Sequence, residues 1–248
     1  MRVIKKLAIS IVLILVGCAA VIGILCYTIY YHEQELDQFI SDAATNTRKA
    51  MMDAYNQQEW DKVVGYGLAL EAHGDTIGDL TIIYAEGMCA LGYYGKARTL
   101  LLDRIKSHPE DQVDYLYRSL GDISCCERKY DDAITYYTKS VEINPKYARP
   151  LVNMADVYRE QHKYKEAVES YLKAIDLFYA KGLYNETESF SKAILEIDPK
   201  NVEAYIYLSA TCYKRAEYDK YEAYKESARK ISGLYATDKI HELIRWGY

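Results

Sequence analysis

The side chains most able to bind a metal ion in this sequence are its five histidines, and they are scattered along the chain. A zinc site needs three or four His, Cys, Asp or Glu ligands at spacings that bring them to one point. No histidine here has such a neighbour at a metal-ligand spacing that repeats. The sequence therefore predicts no metal site at any of these positions: His32, His73, His108, His162 and His241.

The cysteines are a second group of reactive side chains, because Cys125 and Cys126 are adjacent. Adjacent residues late in a helix point in different directions, so a disulfide between them would strain the backbone. Cys89 and Cys212 occupy comparable places late in other predicted helices. Packing of small residues accounts for all four thiols, although free thiols outside the cytoplasm are unusual.

One short glycine motif, GYYGKA at Gly92–Ala97, partly matches a phosphate-binding loop. It lacks the first glycine at the required distance and the Ser or Thr that should follow the lysine. No nucleophile, base and orienting residue occur in a pattern that indicates a catalytic set. We therefore expect no enzyme activity and no cofactor.

The N-terminus has the composition of a membrane anchor. The stretch from Leu7 to Tyr31 carries no charged residue. At ~1.5 Å per residue, a helix of this length exceeds the ~30 Å hydrocarbon core of a bilayer. Bases precede the stretch at Arg2, Lys5 and Lys6, and acidic residues follow it. The positive-inside rule then places the short N-terminus in the cytoplasm and the rest of the chain outside it, most simply across a bacterial cell membrane.

Two alternatives compete with the uncleaved anchor. The first is a cleaved signal peptide, but the apolar run is longer than the h-region of such a peptide and has no polar break. Leu15-Val16-Gly17-Cys18 matches the pattern of a bacterial lipobox, which would make Cys18 a lipidated N-terminus. The residues after Cys18 stay apolar, whereas such lipoproteins normally turn polar at once, so we favour the anchor.

The charge of the remaining chain excludes one class of partner. Without the three bases ahead of the anchor, 28 of the 31 basic residues remain against 36 acidic ones. No run of Lys or Arg interleaved with aromatic residues is present. This balance argues against nucleic acid and against an anionic membrane surface as the main partner.

The elements that must position any functional side chains are set by an internal repeat. The segments starting at Lys129 and Lys163 share Tyr, Ala, Tyr and Lys residues at one constant offset. Proline is scarce and the apolar spacing is helical nearly everywhere, which indicates an all-α protein.

This pattern resembles the tetratricopeptide repeat family, whose unit is a helix–turn–helix of about 34 residues. The resemblance implies an all-α solenoid of about five repeats, and the uncharged N-terminal stretch predicts a single transmembrane helix ahead of it. In such a repeat, Gly121, Ala133, Ala155 and Ala167 fall where two helices approach closely, and Pro145 falls where the second helix ends. Only the second half of a repeat is present at Gly182–Pro199. Either the helix before it serves in two registers or the array carries an odd helix, and we expect a change in superhelical pitch near Gly182.

In this frame the chain divides into 1–6 (basic cytoplasmic N-terminus), 7–31 (transmembrane helix), 32–43 (acidic juxtamembrane segment), 44–235 (repeat array) and 236–248 (C-terminal capping helix). The repeat units are 44–77, 78–111, 114–147, 148–181, the half-repeat 182–201, and 202–235.

The resemblance also implies a partner groove, because the first helices of this family line a concave face. Glu86, Asp122 and Asp156 follow one another at roughly one repeat length, so they should form one acidic column on that face. Arg118 with Asp122, and Asp156 with Arg159, are also spaced to pair within a helix. The acidic pattern differs from the basic carboxylate clamp of chaperone-binding members. The candidate groove residues are Arg48, Met52, Glu86, Arg118, Asp122, Asn153, Asp156 and Arg159.

By resemblance, the protein is a membrane-anchored adaptor or scaffold that binds a protein or peptide partner in this groove. Two alternatives remain open. One is an envelope-assembly lipoprotein attached through Cys18. The other is an accessory subunit of a membrane enzyme complex in which another chain is the catalyst.

Overall fold

A computed structural model describes residues 41–72, 80–110 and 112–246, with isolated positions 30, 34, 35 and 38. The predicted membrane-spanning segment, Leu7–Tyr31, lies outside the described residues except for Tyr30. Within the described part of the chain, every helix is too short or too polar to cross a bilayer.

The described residues form helices joined by short turns, without strands. The chain divides into two compact units, Met1–Leu80 and Thr81–Tyr248. The first unit contains α1 (residues 41–56) and α2 (Trp60–Ala72). The second contains α3 (Thr81–Ala90), α4 (Tyr94–Ser107), α5 (Val113–Cys126), α6 (Tyr130–Ile143), α7 (Ala148–Glu160), α8 (Tyr164–Ala180), α9 (Tyr184–Ile197), α10 (Val202–Lys214), α11 (Tyr218–Ser232) and α12 (Leu234–Trp246).

A left-handed residue closes each turn from a first to a second helix. At His162, for example, φ is 58°, and the next amide, Lys163 N, donates to Tyr158 O at 2.8 Å. This geometry satisfies carbonyl groups at the helix end that would otherwise lack partners. An aromatic residue follows two positions later and begins the second helix. The left-handed residues are Gln58, Gly92, Arg128, His162, Gly182 and Ala216.

Proline marks the opposite junctions, where a second helix ends. α4, α6 and α9 each stop shortly before a proline, at Pro109, Pro145 or Pro199. Proline cannot continue a helix because it lacks an amide hydrogen, and it disfavours helical geometry in the residue before it.

Helix α8 has no such proline and is therefore longer than each of the helices α2–α7 and α9–α12. Tyr179 stands one repeat length after Pro145, at the place where a proline would end the helix. α8 runs on through Tyr179 to a length of 17 residues. The turn after α8 has the geometry of a turn from a first to a second helix, because Gly182 is left-handed, with φ of 71°. It follows the equivalent turn at His162 by much less than one repeat length. α8 packs against both α7 and α9. Of the two alternatives left open by the sequence, the structure therefore has the helix that serves in two registers.

Small residues lie at the predicted close contacts between helices. Ala133, Ala155 and Ala167 are fully buried, as the repeat pattern predicts. Around α8, the rings of Phe178 and Tyr171 both stack on Phe190, with centroids 5.6 Å and 5.9 Å from it. This core joins α8 to α9.

The terminal helix α12 begins at Leu234, slightly earlier than the predicted capping helix at 236–248. Only Gly233, with φ of 67°, separates it from α11. Ala236 and Ile240 are fully buried and belong to one apolar cluster with Ile206 and Ala228 of α10 and α11. α12 thus covers the apolar seam that the last helix pair would otherwise expose.

Two substitutions at equivalent turns should change stability in opposite directions. Gly182→Ala adds a methyl group that meets no heavy atom within 4 Å, so its effect comes from the left-handed backbone. We expect the free energy of unfolding to fall by about 1 kcal/mol, after allowing for the smaller conformational entropy of the unfolded alanine variant. Ala216→Gly relieves the same strain at φ of 58° and should stabilise by up to about 1 kcal/mol. The urea midpoints of the two variants, measured beside the parent, test this. Shifts of the same sign would contradict the shared turn geometry.

Candidate partner-binding groove

The centre of the candidate groove is the carboxylate of Asp122 on α5, which joins three helices. It accepts hydrogen bonds from Tyr137 Oη on α6 at 2.7 Å and from Asn153 Nδ2 on α7 at 2.7 Å. Its second oxygen accepts from Arg118 Nη1, one turn earlier on α5, at 2.6 Å. Asp122 is therefore held by neighbours on α5, α6 and α7.

Gly121 makes this arrangement possible. A Cβ atom at this position would lie 2.3 Å from Cε1 of Tyr137, which is well inside a van der Waals contact. Because Gly121 has no side chain, the buried Tyr137 ring can cross the helix pair and bring its hydroxyl to Asp122. The glycine recognised in the repeat pattern is thus also a requirement of the candidate site.

Arg118 extends the network to α3. Its Nη2 atom lies 3.4 Å from Glu86 Oε1, while Nη1 bonds Asp122. The guanidinium fork therefore bridges two carboxylates on neighbouring first helices. The structure brings four of the predicted residues together in one connected set: Glu86, Arg118, Asp122 and Asn153.

The remaining predicted residues lie outside this connected set. Asp156 accepts a hydrogen bond from Tyr171 Oη and pairs with Arg159 Nη2 at 3.3 Å. Arg48 and Met52 belong to α1 in the first compact unit, where Met52 is partly exposed. Both intrahelical pairs predicted from spacing are formed, and the assignment of these residues to a partner stays a prediction.

Burial governs the protonation equilibria of the set. Burial raises the pKa of the Asp122 carboxyl above its usual range, although Arg118 and the Tyr137 hydroxyl favour its charged form. Burial opposes the charge of Arg118, but Asp122 and Glu86 outweigh it and raise the pKa of the guanidinium. Burial, followed by the charge of Asp122, raises the pKa of Tyr137. The hydroxyl therefore remains a proton donor at neutral pH.

The sequence alone missed a further member of the column, Asp176 on α8. It accepts a hydrogen bond from Tyr207 Oη on α10. The step along the chain from Asp156 to Asp176 equals the step from His162 to Gly182. Assigning α8 as a first helix as well as a second would have found Asp176, because the column then continues in register.

Two cavities open beside the column. One of about 330 Å³ lies between α3 and α5, with an apolar wall that includes Ala85, Ala90 and Ile123. The other, of about 380 Å³, lies between α5 and α7 and contains the Tyr137 and Asn153 side chains. Both volumes fall within the range of about 300–1,000 Å³ typical of ligand pockets.

The thiols beside these cavities are poor nucleophiles. Burial raises the pKa of Cys89 to about 12, and it raises the pKa of Cys125 and of Cys126 as well. A thiol that stays protonated neither attacks an electrophile nor binds a metal readily. Within the described ranges, no three His, Cys, Asp or Glu side chains are placed to hold a metal ion.

Removal of the Tyr137 hydroxyl should destabilise the protein in a pH-dependent way. At about pH 7, Tyr137→Phe removes a hydrogen bond to a charged group and should cost about 1.5–3 kcal/mol. Because the folded-state pKa of Asp122 is raised, its charge costs stability above that pKa, and protonation relieves the cost as pH falls. The variant lacks one hydrogen-bond donor to the Asp122 carboxylate. Protonation of Asp122 therefore increases its free energy of unfolding more than that of the parent.

The difference in free energy of unfolding between Tyr137→Phe and the parent should therefore narrow towards about pH 4, near the ordinary pKa of aspartate. Tyr136→Phe is the matched control, since that ring stacks on Tyr117 at 6.3 Å and its hydroxyl plays no part in the network. A difference that is independent of pH would contradict the role given to the hydroxyl.

This chain is similar to several known proteins and, over part of its length, to one family model. Curated relatives include the Photosystem I assembly protein Ycf3 of Rippkaea orientalis, 28% identical over 135 residues, which cover 52% of this chain and 74% of that protein. Similar solved structures include MamA from Desulfovibrio magneticus RS-1, with 16% identity, coverage of 82% of this chain and 96% of that one, and a TM-score of 0.46. Another is the TPR2AB domain of yeast Sti1 in complex with an HSP90 peptide, with 16% identity, coverage of 83% and 98%, and a TM-score of 0.43. The tetratricopeptide repeat family model matches residues 112–180. The described residues are therefore all-helical, and the part from α5 to α8 matches the tetratricopeptide repeat family model.

Proposed function

We propose that this protein is a membrane-anchored adaptor that binds a protein partner on the face formed by its first helices. The observation that carries the proposal is the fixed network across α3, α5 and α7, flanked by two open cavities. The network consists of Glu86, Arg118, Asp122 and Asn153. A surface whose polar groups are already ordered loses little entropy when it binds, which favours affinity and register.

The charges of this face define the chemistry of the partner. Arg118 is held by two carboxylates and Arg159 by one, so neither guanidinium is available to a partner's terminal carboxylate without giving up its present ion pair. On α3, α5 and α7, these two arginines stand against three acidic groove residues, Glu86, Asp122 and Asp156, so this part of the face has a net negative charge. It fits a partner that places apolar side chains in the cavities and Lys or Arg beside them, with charge setting specificity and association rate.

The anchor is supported by the uncharged stretch from Leu7 to Tyr31 and by the three bases ahead of it. Lipidation at Cys18 is the alternative form of attachment. The curated relatives are named as assembly proteins, which favours a partner held during the assembly of a larger complex. The accessory-subunit alternative differs only in that the partner is a permanent catalytic chain.

Blocking the cavity between α3 and α5 tests the binding face. Ala90 is an exposed residue that lines this cavity, so Ala90→Phe should fill it without removing a charge. We expect recovery of partners with the tagged full-length protein, extracted from its host membranes, to fall about tenfold, equivalent to about 1.4 kcal/mol.

The matched control for this test is Ala223→Phe, at an exposed alanine on the second helix α11. It should recover the same partners as the parent. Equal recovery by both variants, each with a parent-like helical spectrum, would contradict binding on the first-helix face.

The topology is tested by a reporter enzyme that is active only outside the cytoplasm, fused after Tyr248. We expect activity from the full-length fusion and none from a control fusion that lacks residues 1–31. A stable full-length fusion without activity would contradict the predicted orientation. Intact mass of the purified protein separates the anchor from lipidation, because cleavage before Cys18 removes Met1–Gly17.

A further inference from the structure

A third cavity, of about 410 Å³, lies outside the predicted groove residues and is lined by α8, α10 and α12. α12 is attached to α8 across it, since Tyr179 Oη donates to the backbone carbonyl of Leu243 at 3.2 Å. α12 is also fixed by its buried residues, Ala236 and Ile240. The cavity is therefore built into the fold, and the terminal helix supplies one of its walls.

The charges in this cavity are less balanced than those around Asp122. Its acidic residues are Asp176, Glu203 and Glu242, and its single base is Lys239. Lys239 pairs with Glu242 at 2.7 Å. Asp176 accepts a hydrogen bond from the neutral Tyr207 hydroxyl, and within the described part of the chain Glu203 has no ion pair or hydrogen bond to its side chain. Asp176 and Glu203, both exposed residues, thus line the cavity without an ion pair, while its one base is paired with Glu242.

Glu203 also lies in the first turn of α10, where a negative charge stabilises the helix dipole. This interaction with the helix dipole accounts for an acidic residue at this position but does not neutralise the charge of Glu203. Burial raises the pKa of Asp176, and no neighbouring cation lowers it again. Around Asp122, by contrast, Arg118 supplies the missing positive charge.

The rest of the cavity wall is apolar or aromatic. Leu172, Ile206 and Leu243 contribute aliphatic surface, and Tyr207 and Tyr235 contribute rings. A surface of this kind, next to unneutralised carboxylates, matches one type of side chain. Lysine and arginine bury an aliphatic stem against apolar surface and keep a charged head at a polar edge, and both stack favourably on tyrosine rings.

We propose that this cavity binds a lysine or arginine side chain of a partner polypeptide, with its cationic head between Asp176 and Glu203. The inference rests on the proposed function, because the partner is taken to lie along the same face of first helices. An anionic lipid surface or a nucleic acid would be repelled by these carboxylates. α12 is therefore part of a recognition site as well as a cap.

The test uses the full-length protein in detergent and a displayed library of short random peptides as the probe. The cavity variant is Asp176→Asn with Glu203→Gln, which removes both charges and keeps the side-chain shapes. The control is Asp132→Asn with Glu166→Gln, two exposed acidic residues in the first turns of second helices. This control matches the helix-dipole effect of changing Glu203.

We expect the parent and the control to enrich peptides with Lys or Arg at a fixed position, and the cavity variant to lose that enrichment. A peptide enriched by the parent should bind the cavity variant about five- to tenfold more weakly by fluorescence anisotropy, as expected for loss of two partly exposed charge contacts. Acetylation of its lysine should weaken binding to the parent to the same extent.

Two outcomes would overturn the inference alone: no preference for Lys or Arg on the parent, or an unchanged preference on the cavity variant. If, in either case, Ala90→Phe no longer binds the peptides that the parent enriches, the proposed function stands without this inference. If the parent enriches no sequence, both are overturned.

Discussion

The rest of the structure depends on one close contact, in which a tyrosine of a second helix packs against a glycine or alanine of the first helix. At Gly121 the backbone of α5 lies so close to the Tyr137 ring that a methyl group has no room. One repeat later, Ala155 and Tyr171 occupy the same places, and the hydroxyl again reaches an aspartate, Asp156. In the pairs α5–α6 and α7–α8, the contact that packs the two helices is therefore also the contact that fixes an acidic residue on the first-helix face.

This coupling explains why the acidic column is ordered more strongly than a solvated surface would be. A carboxylate on an exposed helix usually has freedom to rotate, and its ion pairs contribute little. Asp122 instead accepts bonds from three neighbours on α5, α6 and α7. The first helices present their charges in fixed positions because the second helices and the next repeat hold them there.

Much of the fold followed from the sequence, because the repeat spacing acts through local rules. Small residues at close contacts, prolines at helix ends and intrahelical ion pairs all depend on neighbours within one unit. The bonds from Arg118 to Glu86 and from Asn153 to Asp122 join residues of different units, and they depend on side-chain reach across two helices. The sequence leaves the dual role of α8 open because Tyr179, one repeat length after Pro145, removes a stop signal without supplying a new pattern. Asp176 was missed for the same reason, and the predicted anchor lies outside the described residues.

The shared helix α8 also affects how the array unfolds. In a regular solenoid, stability is approximately a sum over units and the interfaces between them, so one end can open while the other stays folded. Here the pair α7–α8 and the pair α8–α9 have one helix in common, and its loss destroys both pairs at once. With Tyr171, Ile175 and Phe178 buried along its length, α8 couples the middle of the array to its C-terminal end. The second unit should accordingly resist partial opening at this point and behave, from α7 to α10, as a single cooperative block.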